Sequence, residues 1–371
     1  MSALDTLRDN WAAFTNRWRR TWAGLPRPAK WGVMALVLIF FVALPNLTFP
    51  GIDFFVTQET DWATTLFTVS YYVLLAIGLN VVVGLAGLLD LGYVGFFAVG
   101  AYTVAVLTSP DSDLDLKWAY LAAVPVAIAL AALSGLILGW PTLRLRGDYL
   151  AIVTLGFAEI IRIAADSSSF LKGDRGISSI PPPPGTKGDG MPLFGVTDAR
   201  PYYWLALAVI VVILIGVRNL ERSRVGRAWV AIREDEDAAE AMGVPTFKFK
   251  LWAFAIGASI GGLSGALFVG EQGFINSSTF QLQFSILVLA GVVMGGAGNL
   301  PGVILGGALI AYLPERFRGI KIAGTDAFEY RYMFFGLVLI LVMIFRPQGL
   351  IPSRRRAAEF IDRKKEATPV E

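Results

Sequence analysis

The sequence predicts an all-α integral membrane protein with about ten transmembrane helices and both termini in the cytoplasm. Composition, the spacing of apolar segments and the distribution of positive charge all support this fold class. Of the 371 residues, 55% are hydrophobic and only 16% are charged, whereas about 25% are charged in ordinary soluble domains. The apolar segments are too long and too frequent for two or three water-soluble domains, so one membrane domain is the better interpretation.

Ten apolar segments are candidate spans, because a helix needs roughly 20 apolar residues to cross about 30 Å of hydrocarbon. They are residues 31–49, 62–84, 85–107, 118–139, 149–165, 201–217, 249–270, 282–298, 301–313 and 332–346. The stretch 62–107 contains no polar loop and is divided at the Gly84–Gly87 region, and 282–313 is divided at the turn residues 299–302. A single crossing by 282–313 would move the C-terminus to the outer side.

Lysine and arginine test the topology, because short cytoplasmic loops are enriched in them. With both termini inside, the cytoplasmic segments carry 22 of these residues and the external segments carry 9. The asymmetry favours ten crossings. The segment 314–331 is the exception, since it has four basic residues on the predicted outer side.

The remaining segments define the domain organisation. Residues 1–30 interleave Trp and Arg and predict an amphipathic helix on the cytoplasmic membrane surface, with an unstructured tail as the alternative. Residues 31–346 form the transmembrane domain, and residues 347–371 form a basic cytoplasmic tail. Within the domain, 166–200 contains four consecutive prolines and predicts an extended external loop, which is either a docking surface or a spacer.

The polar segment 218–248 predicts a cytoplasmic helix. Ser223 is a suitable N-cap, the helix continues through Trp229 and the acidic cluster 234–237, and Gly243 with Pro245 ends it. A mixed-charge helix of this kind is usually only a solvated surface. Taken alone, it indicates no partner.

Several function classes are excluded or disfavoured by residue usage. The chain has no Cys and no His, which removes thiolate chemistry and the commonest general base and metal ligand. It contains no recognisable P-loop, catalytic carboxylate pair or metal-ligand set. We therefore expect no enzymatic activity, no cofactor and no bound metal, and nothing in the sequence indicates nucleic acid.

Ionisable and polar groups within spans cost free energy and so need a reason. Glu159 and Arg162 have the spacing of a self-neutralising helix pair. Asp90 lies in a glycine-rich junction between two spans, where it either caps the next helix or, together with Asn80, polarises a cavity. The glycines at helical spacing in 257–265, 291–296 and 302–307 predict close packing of helix backbones.

Specific runs of sequence resemble the branched-chain amino-acid ABC permease family of the LivM type. They are GLNVVVGLAGLLDLGYVGFFAVGAY (78–102), LRLRGDYLAIVTLGFAEIIR (143–162), GRAWVAIREDE (226–236), Gly273-Phe274 and RPQGL (346–350), and the likeness extends over about 60–352. The resemblance implies the type II ABC importer fold and a location in the bacterial plasma (inner) membrane, in contact with lipid. The implied partners are a second permease of the LivH type, two cytosolic ATPases and an external substrate-binding protein.

The resemblance also assigns 218–248 as the coupling-helix region, which docks on an ATPase. The family's Glu-Ala-Ala-x3-Gly signature is matched by Asp237-Ala238-Ala239-x3-Gly243, and the helix also carries Arg227 and Arg233. Asp replaces Glu, and the later Leu-Pro element is missing. In the external loop, residues 171–177 carry charges where relatives have a Gly-Gly-Pro-Asn-Gly-Ile-like stretch, so the receptor or the substrate differs.

The predicted function is therefore the permease subunit of an ATP-driven importer for branched-chain or related small amino acids. Candidates for the translocation pathway are Asn80, Asp90, Tyr93, Thr154, Glu159 and Arg162. A permease for urea or short amides is the alternative within the same architecture. An ion-coupled carrier that works without ATPases is the alternative from another class, although we find no inverted repeat with paired broken helices.

Overall fold

The computed structural model describes residues 26–46, 61–114, 116–143, 147–186, 192–195, 198–318, 321–322, 325–345 and 349–351. Most of the predicted amphipathic segment 1–30 and nearly all of the basic tail 347–371 lie outside these residues. The chain divides into two units, residues 1–50 and 51–371. In the first unit, α1 (Arg27–Ala43) is followed by a 3-10 turn, Leu44–Asn46. It carries apolar residues all round, as expected for a membrane helix.

The described part of the second unit is almost entirely helical. Its helices are α2 (Trp62–Leu79), α3 (Tyr93–Thr108), α4 (Tyr120–Thr142), α5 (Asp148–Ser167), α6 (Arg200–Arg222), α7 (Arg224–Glu234), α8 (Glu236–Ala241), α9 (Thr246–Gln272), α10 (Leu282–Gly295), α11 (Leu300–Phe317) and α12 (Arg331–Phe345). Two-residue strands β1 (Lys321–Ile322) and β2 (Thr325–Asp326) pair antiparallel between α11 and α12. The all-α prediction is confirmed.

Among the described residues, five helices are long and apolar enough to cross a membrane. They are Trp62–Leu85, Tyr120–Thr142, Arg200–Arg222, Thr246–Gln272 and Ser277–Gly295. Shorter apolar helices cover Gly32–Asn46, Tyr93–Thr108 and Arg331–Val342. The architecture is that of a multi-pass membrane protein, and the number of ten crossings stays a prediction.

Both predicted divisions of long apolar stretches are breaks between helices. The first break follows α2, which widens into a π-type segment, Asn80–Leu85, before non-helical residues 86–92 lead to α3. The second break is residues 296–299 between α10 and α11, where Gly296 and Gly298 have φ of 112° and 85°. These positive φ values are strained for residues other than glycine. Because residues 86–92 of the first break are not helical, the predicted span 85–107 begins later than expected, at Tyr93.

The second break folds α10 and α11 into an antiparallel hairpin. A Cβ on Gly306 would lie 2.0 Å from the Gly291 carbonyl oxygen, and one on Gly295 would lie 2.2 Å from that of Gly302. Gly295 and Gly302, next to the break, therefore face each other, and so do Gly291 and Gly306, which lie about one turn further from it. The stretch 282–313 is therefore two helices, and its crossing the membrane twice stays a prediction.

Helix α9 lies at the centre of the second unit, and small residues allow its neighbours to approach it. A Cβ on Gly100 of α3 would lie 2.1 Å from the carbonyl oxygen of Gly262 in α9, and one on Gly265 would lie 2.1 Å from that of Phe97. On the α4 side, a Cβ on Gly135 would lie 2.7 Å from the Cβ of Ala258. The prediction that glycine faces serve close backbone packing is confirmed.

The helix predicted to run from Ser223 to Gly243 is two helices. Asp235 has an extended backbone, with φ of −156° and ψ of 110°, and its side chain accepts a hydrogen bond from the Ala238 amide at 2.9 Å. The single-helix prediction was wrong because Asp235 caps a new helix within the acidic cluster. The predicted N-cap is correct, since the Ser223 hydroxyl accepts from the amide of Val225 at 3.1 Å.

Candidate functional site

Helices α7 and α8 lie against one end of the bundle, and two side chains tie them to the start of α9. Trp229 is fully buried and its indole Nε1 donates to the carbonyl of Phe249 at 2.7 Å. Lys250, whose side chain is 4% exposed, forms an ion pair with Glu236 of α8. Breaking a buried pair leaves an uncompensated charge. Each short helix therefore has its own attachment to the longest helix of the bundle.

Arg233, at the end of α7, connects these helices to both breaks. Its Nη1 donates to the carbonyl of Gly84, within the π-type segment. A Cβ on Gly87 would lie 2.6 Å from Arg233 Cγ, and one on Gly298 would lie 2.8 Å from Arg233 Nη1. Glycine at these two positions therefore makes room for the arginine. One charged side chain contacts the break after α2 and the break between α10 and α11.

The two breaks are also bonded to each other. The side-chain oxygen of Asn80, a fully buried residue, accepts from the amide of Gly298 at 2.7 Å. A Cβ on Gly84 would lie 1.9 Å from this same oxygen. Residues 350–351 join the second break. Asn299 Nδ2 donates to the Ile351 carbonyl at 2.7 Å, and the Leu350 amide donates to the carbonyl of Met294, at the end of α10, at 2.8 Å. The breaks, α7 and residues 350–351 form one bonded corner.

The surface of α8 and the turn after it face away from the bundle. Asp237, Ala238 and Gly243 are exposed, and Met242 is 85% exposed. Ala239 is buried, so this member of the predicted coupling set contacts the protein itself. Arg227 is exposed and its Nη1 donates to the Arg222 carbonyl at 3.0 Å. The arrangement presents a short polar helix with one apolar side chain at its end.

Four of the pathway candidates lie close to the first break. Asp90 and Thr154 are completely buried, and the Thr154 hydroxyl accepts from the amide of Leu91 at 3.0 Å. Asp90 accepts from the amide of Gly92 at 2.9 Å, one residue before α3 begins. It therefore stabilises the turn that leads into α3 and does not occupy the N-cap position.

Tyr93 joins the break to the bundle core. Its hydroxyl donates to the carbonyl of Gly257 in α9 at 2.8 Å, and a Cβ on Gly78 of α2 would lie 1.9 Å from the same oxygen. The structure thus brings Asn80, Asp90, Tyr93 and Thr154 together around one interruption of the helices.

Glu159 and Arg162 form a pair further along α5. Arg162 Nε donates to Glu159 Oε1 at 3.0 Å, and the side chains are 39% exposed for Glu159 and 27% for Arg162. The predicted i,i+3 pair is confirmed. Its two charges neutralise each other on the helix surface.

The opposite end of the bundle is closed by loops that bond to one another. Ser109 donates to the Ser178 carbonyl at 2.5 Å, and Ile177 pairs with Ile275 as an isolated β-bridge. Asp111 accepts from both the amide and the hydroxyl of Ser178, at 3.2 Å and 3.1 Å. These bonds to the charged carboxylate lower the pKa of Asp111. The first part of the predicted external loop is therefore fixed to its neighbours.

Sequence reasoning did not identify Trp229, Lys250, Glu236 or Gly298 as members of this site. Buried contacts between distant segments define them, and no local pattern shows such contacts. Trp229 gave a partial signal, because a large aromatic residue stands out within the polar segment 218–248.

Comparisons with known proteins agree with this architecture. The profile of the family described as branched-chain amino acid transport system / permease component matches residues 62–343. The chain is 39% identical over 354 residues to the high-affinity branched-chain amino acid transport system permease protein LivM of Escherichia coli K12, covering 88% of this chain and 78% of the relative. It is 41% identical over 302 residues to the LivM protein of Salmonella typhimurium LT2, covering 76% and 68%.

A more distant match is the permease protein LivH of Escherichia coli K12, 24% identical over 303 residues and covering 76% of this chain and 91% of the relative. No solved structure matches the chain. The family match extends over both breaks, α7, α8 and the central helix α9. The chain therefore belongs to the branched-chain amino acid transport permease family.

Proposed function

We propose that this protein is the membrane permease subunit of an ATP-driven ABC importer for branched-chain or related small amino acids. It pairs with a second permease of the LivH type, two cytosolic ATPases that hydrolyse the ATP, and an external substrate-binding protein. The chain itself performs no covalent chemistry. The observation that carries the proposal is the Arg233 contact, which links a surface helix pair to both interruptions of the bundle.

Helices α7 and α8 are the proposed docking element for an ATPase. Asp237, Ala238, Met242 and Gly243 would meet the ATPase, because they are exposed. Arg233 would transmit the movement of α7 to the breaks. Hinges are usually a few residues in loops or at the ends of elements, so the two breaks are where the bundle would bend.

The translocation pathway is proposed to pass close to the first break, bordered by Asn80, Asp90, Tyr93 and Thr154. The Glu159 and Arg162 pair would lie nearer the end that receives the solute. Polar groups buried at a helix interruption are rare and are typical of transport pathways. A pathway of modest affinity is enough, since the external protein captures the solute.

The topology that fits this function has ten crossings and both termini in the cytoplasm of a bacterial plasma membrane. Helices α7 and α8 are then cytoplasmic, while the loops joined at Ser178 and Ile275 are external. Attaching a fluorescent protein that matures only in the cytoplasm at either terminus checks the assignment. Fluorescence from only one of the two fusions would refute it.

Transport by purified protein in vesicles tests the function. We expect L-leucine uptake only when the companion permease, the ATPases, the binding protein and ATP are all present. Asp237→Trp should reduce association with the ATPases. Asp198→Trp is the matched control, because Asp198 lies just before α6 begins, whereas α7 and α8 follow the end of α6. Uptake by this chain alone, driven by an ion gradient, would instead establish an ion-coupled carrier, and uptake of urea without leucine would establish the amide alternative.

A further inference from the structure

A cavity lies at the end of the bundle opposite α7 and α8. It is partly open to the surface and has a volume of about 290 Å³ between α2, α3, α9, α10, α11 and the start of α12. The lining residues that matter here are Tyr71, Tyr72, Phe97, Phe284, Glu315 and Arg331. None of them belongs to the pathway candidates drawn from the sequence.

The inner wall of the cavity is aromatic. The ring centroids of Tyr71 and Tyr72 are 4.9 Å apart, those of Tyr72 and Phe284 are 5.1 Å apart, and those of Phe97 and Phe284 are 5.3 Å apart. Phe97 is 1% exposed and Tyr71 is 8% exposed. A continuous set of rings provides apolar surface for a hydrocarbon side chain, and ring faces also attract an ammonium group.

The lining of the cavity includes one residue of each charge. Glu315, on α11, forms an ion pair with Arg318 at 3.0 Å, and its side chain is 13% exposed. The guanidinium of Arg331, on α12, lies 4.6 Å from the ring centroid of Tyr332, which is itself 41% exposed. A ligand with both an anionic and a cationic group meets a partner for each, whereas a ligand with a single charge meets one like charge.

The volume limits the ligand. A dry cavity of about 150 Å³ accommodates benzene, so a cavity of 290 Å³ holds a molecule somewhat larger than benzene. A branched-chain amino acid is of this size. Urea would leave most of the aromatic wall without contacts.

We propose that this cavity is a binding site for one small zwitterionic amino acid with an aliphatic side chain. The side chain packs on the aromatic wall, the carboxylate binds Arg331, and the ammonium group lies between Glu315 and the tyrosine rings. This inference rests on the proposed function for the identity of the ligand. It adds that this chain holds a substrate site of its own, apart from the polar groups at the first break.

Equilibrium binding of tritiated L-leucine tests the proposal. The probe is titrated against the complete importer complex in lipid nanodiscs, without the external binding protein. Unlabelled L-isoleucine should compete, whereas isovalerate, isopentylamine and urea should not, because each lacks one charge or both. Arg331→Gln should weaken binding roughly 10- to 150-fold, the usual effect of losing a hydrogen bond to a charged group.

A second variant fills the cavity without changing charge. Ala311 lines the cavity and is 3% exposed, so Ala311→Phe should abolish leucine binding, and Ala311→Leu replaces it if the larger side chain prevents assembly. Arg200→Gln is the matched charge control, because Arg200 has a side chain that is 52% exposed and does not line the cavity. Wild-type affinity in the Arg331 and Ala311 variants would overturn the proposal while leaving the importer function intact.

Vesicle transport separates the two hypotheses. If the cavity variants bind and transport leucine like the wild type, the site lies elsewhere and the proposed function stands. If the wild-type importer with ATP and binding protein moves no amino acid, the proposed function fails and the amino-acid identity of the ligand fails with it.

Discussion

Gly298→Ala tests whether Arg233 transmits movement between α7 and the breaks. Gly298 has φ of 85°, and its amide donates to Asn80. An added Cβ would lie 2.8 Å from Arg233 Nη1 and 3.0 Å from the Gly84 carbonyl oxygen. The methyl group therefore enters the space beside the hydrogen bond between these two atoms, and the arginine must withdraw.

Two contributions add up to the expected effect. An alanine with positive φ costs about 1–2 kcal/mol from backbone strain alone. Loss of the hydrogen bond from the charged guanidinium adds about 1.5–3 kcal/mol, which corresponds to a change of roughly 10- to 150-fold in an equilibrium constant. Only the second contribution concerns Arg233.

Gly273→Ala is the matched control, because it has the strain without the contact. Gly273 has φ of 63°, and its added Cβ would have the Ile180 carbonyl oxygen, 3.8 Å away, as its nearest neighbour. The assay is the number of ATP molecules hydrolysed per leucine transported by the complete importer in vesicles. We expect this ratio to rise in Gly298→Ala and to stay near the wild-type value in Gly273→Ala.

A double-mutant cycle assigns the effect to Arg233. In an Arg233→Ala background the arginine is already absent, so Gly298→Ala should raise the ratio no further. Equal behaviour of the two glycine variants would refute the reasoning. So would a Gly298→Ala effect that persists in full without the arginine.

Two further predictions concern packing and pH. Gly306→Ala should destabilise the α10–α11 hairpin by about 1–3 kcal/mol, because its Cβ would lie 2.0 Å from the Gly291 carbonyl oxygen. Gly336→Ala is the control, since its Cβ would have nothing within 4 Å. Thermal unfolding of the purified complex should show a lower transition temperature for Gly306→Ala only. The pKa of Asp111 is lowered by its bonds to Ser178, so the stabilisation is complete above the ordinary carboxyl pKa and is lost as the pH falls through the lowered value. Limited proteolysis should therefore cut the loop near Ser178 faster below the lowered pKa of Asp111 than at neutral pH. In Asp111→Asn, the rate of cleavage should be the same at both pH values.

The fold was predictable wherever a single segment carries its own signal. Hydropathy located the apolar helices of the described region, and clusters of glycine located both breaks. The end of the first break was misjudged, because residues 85–92 are as apolar as a helix. Asp90 holds Gly92 and Thr154 holds Leu91 in a non-helical turn there. Such side-chain bonds override the hydrophobic pattern.

The candidate site was predictable only in part. The segment 218–248 was correctly predicted to be helical, and its coupling role stays a prediction. The break at Asp235 was missed because several neighbouring residues were equally good helix formers or caps. The role of Arg233 depends on Gly84 and Gly298, which are distant in sequence. A single sequence contains no signal for such a meeting of three segments. The cavity was missed for the same reason, since six helices contribute to it.

The geometry of the corner limits how α7 can move. Arg233 is bonded to Gly84, Asn80 joins the π-type segment to Gly298, and Asn299 joins the second break to Ile351. Close-packed contacts of this kind shift between discrete arrangements, because intermediate positions lose hydrogen bonds without gaining others. A displacement of α7 must therefore either carry both breaks with it or break the Arg233 contact. In the first case the movement reaches the helices that line the cavity, since α2, α3, α10 and α11 each begin or end at a break.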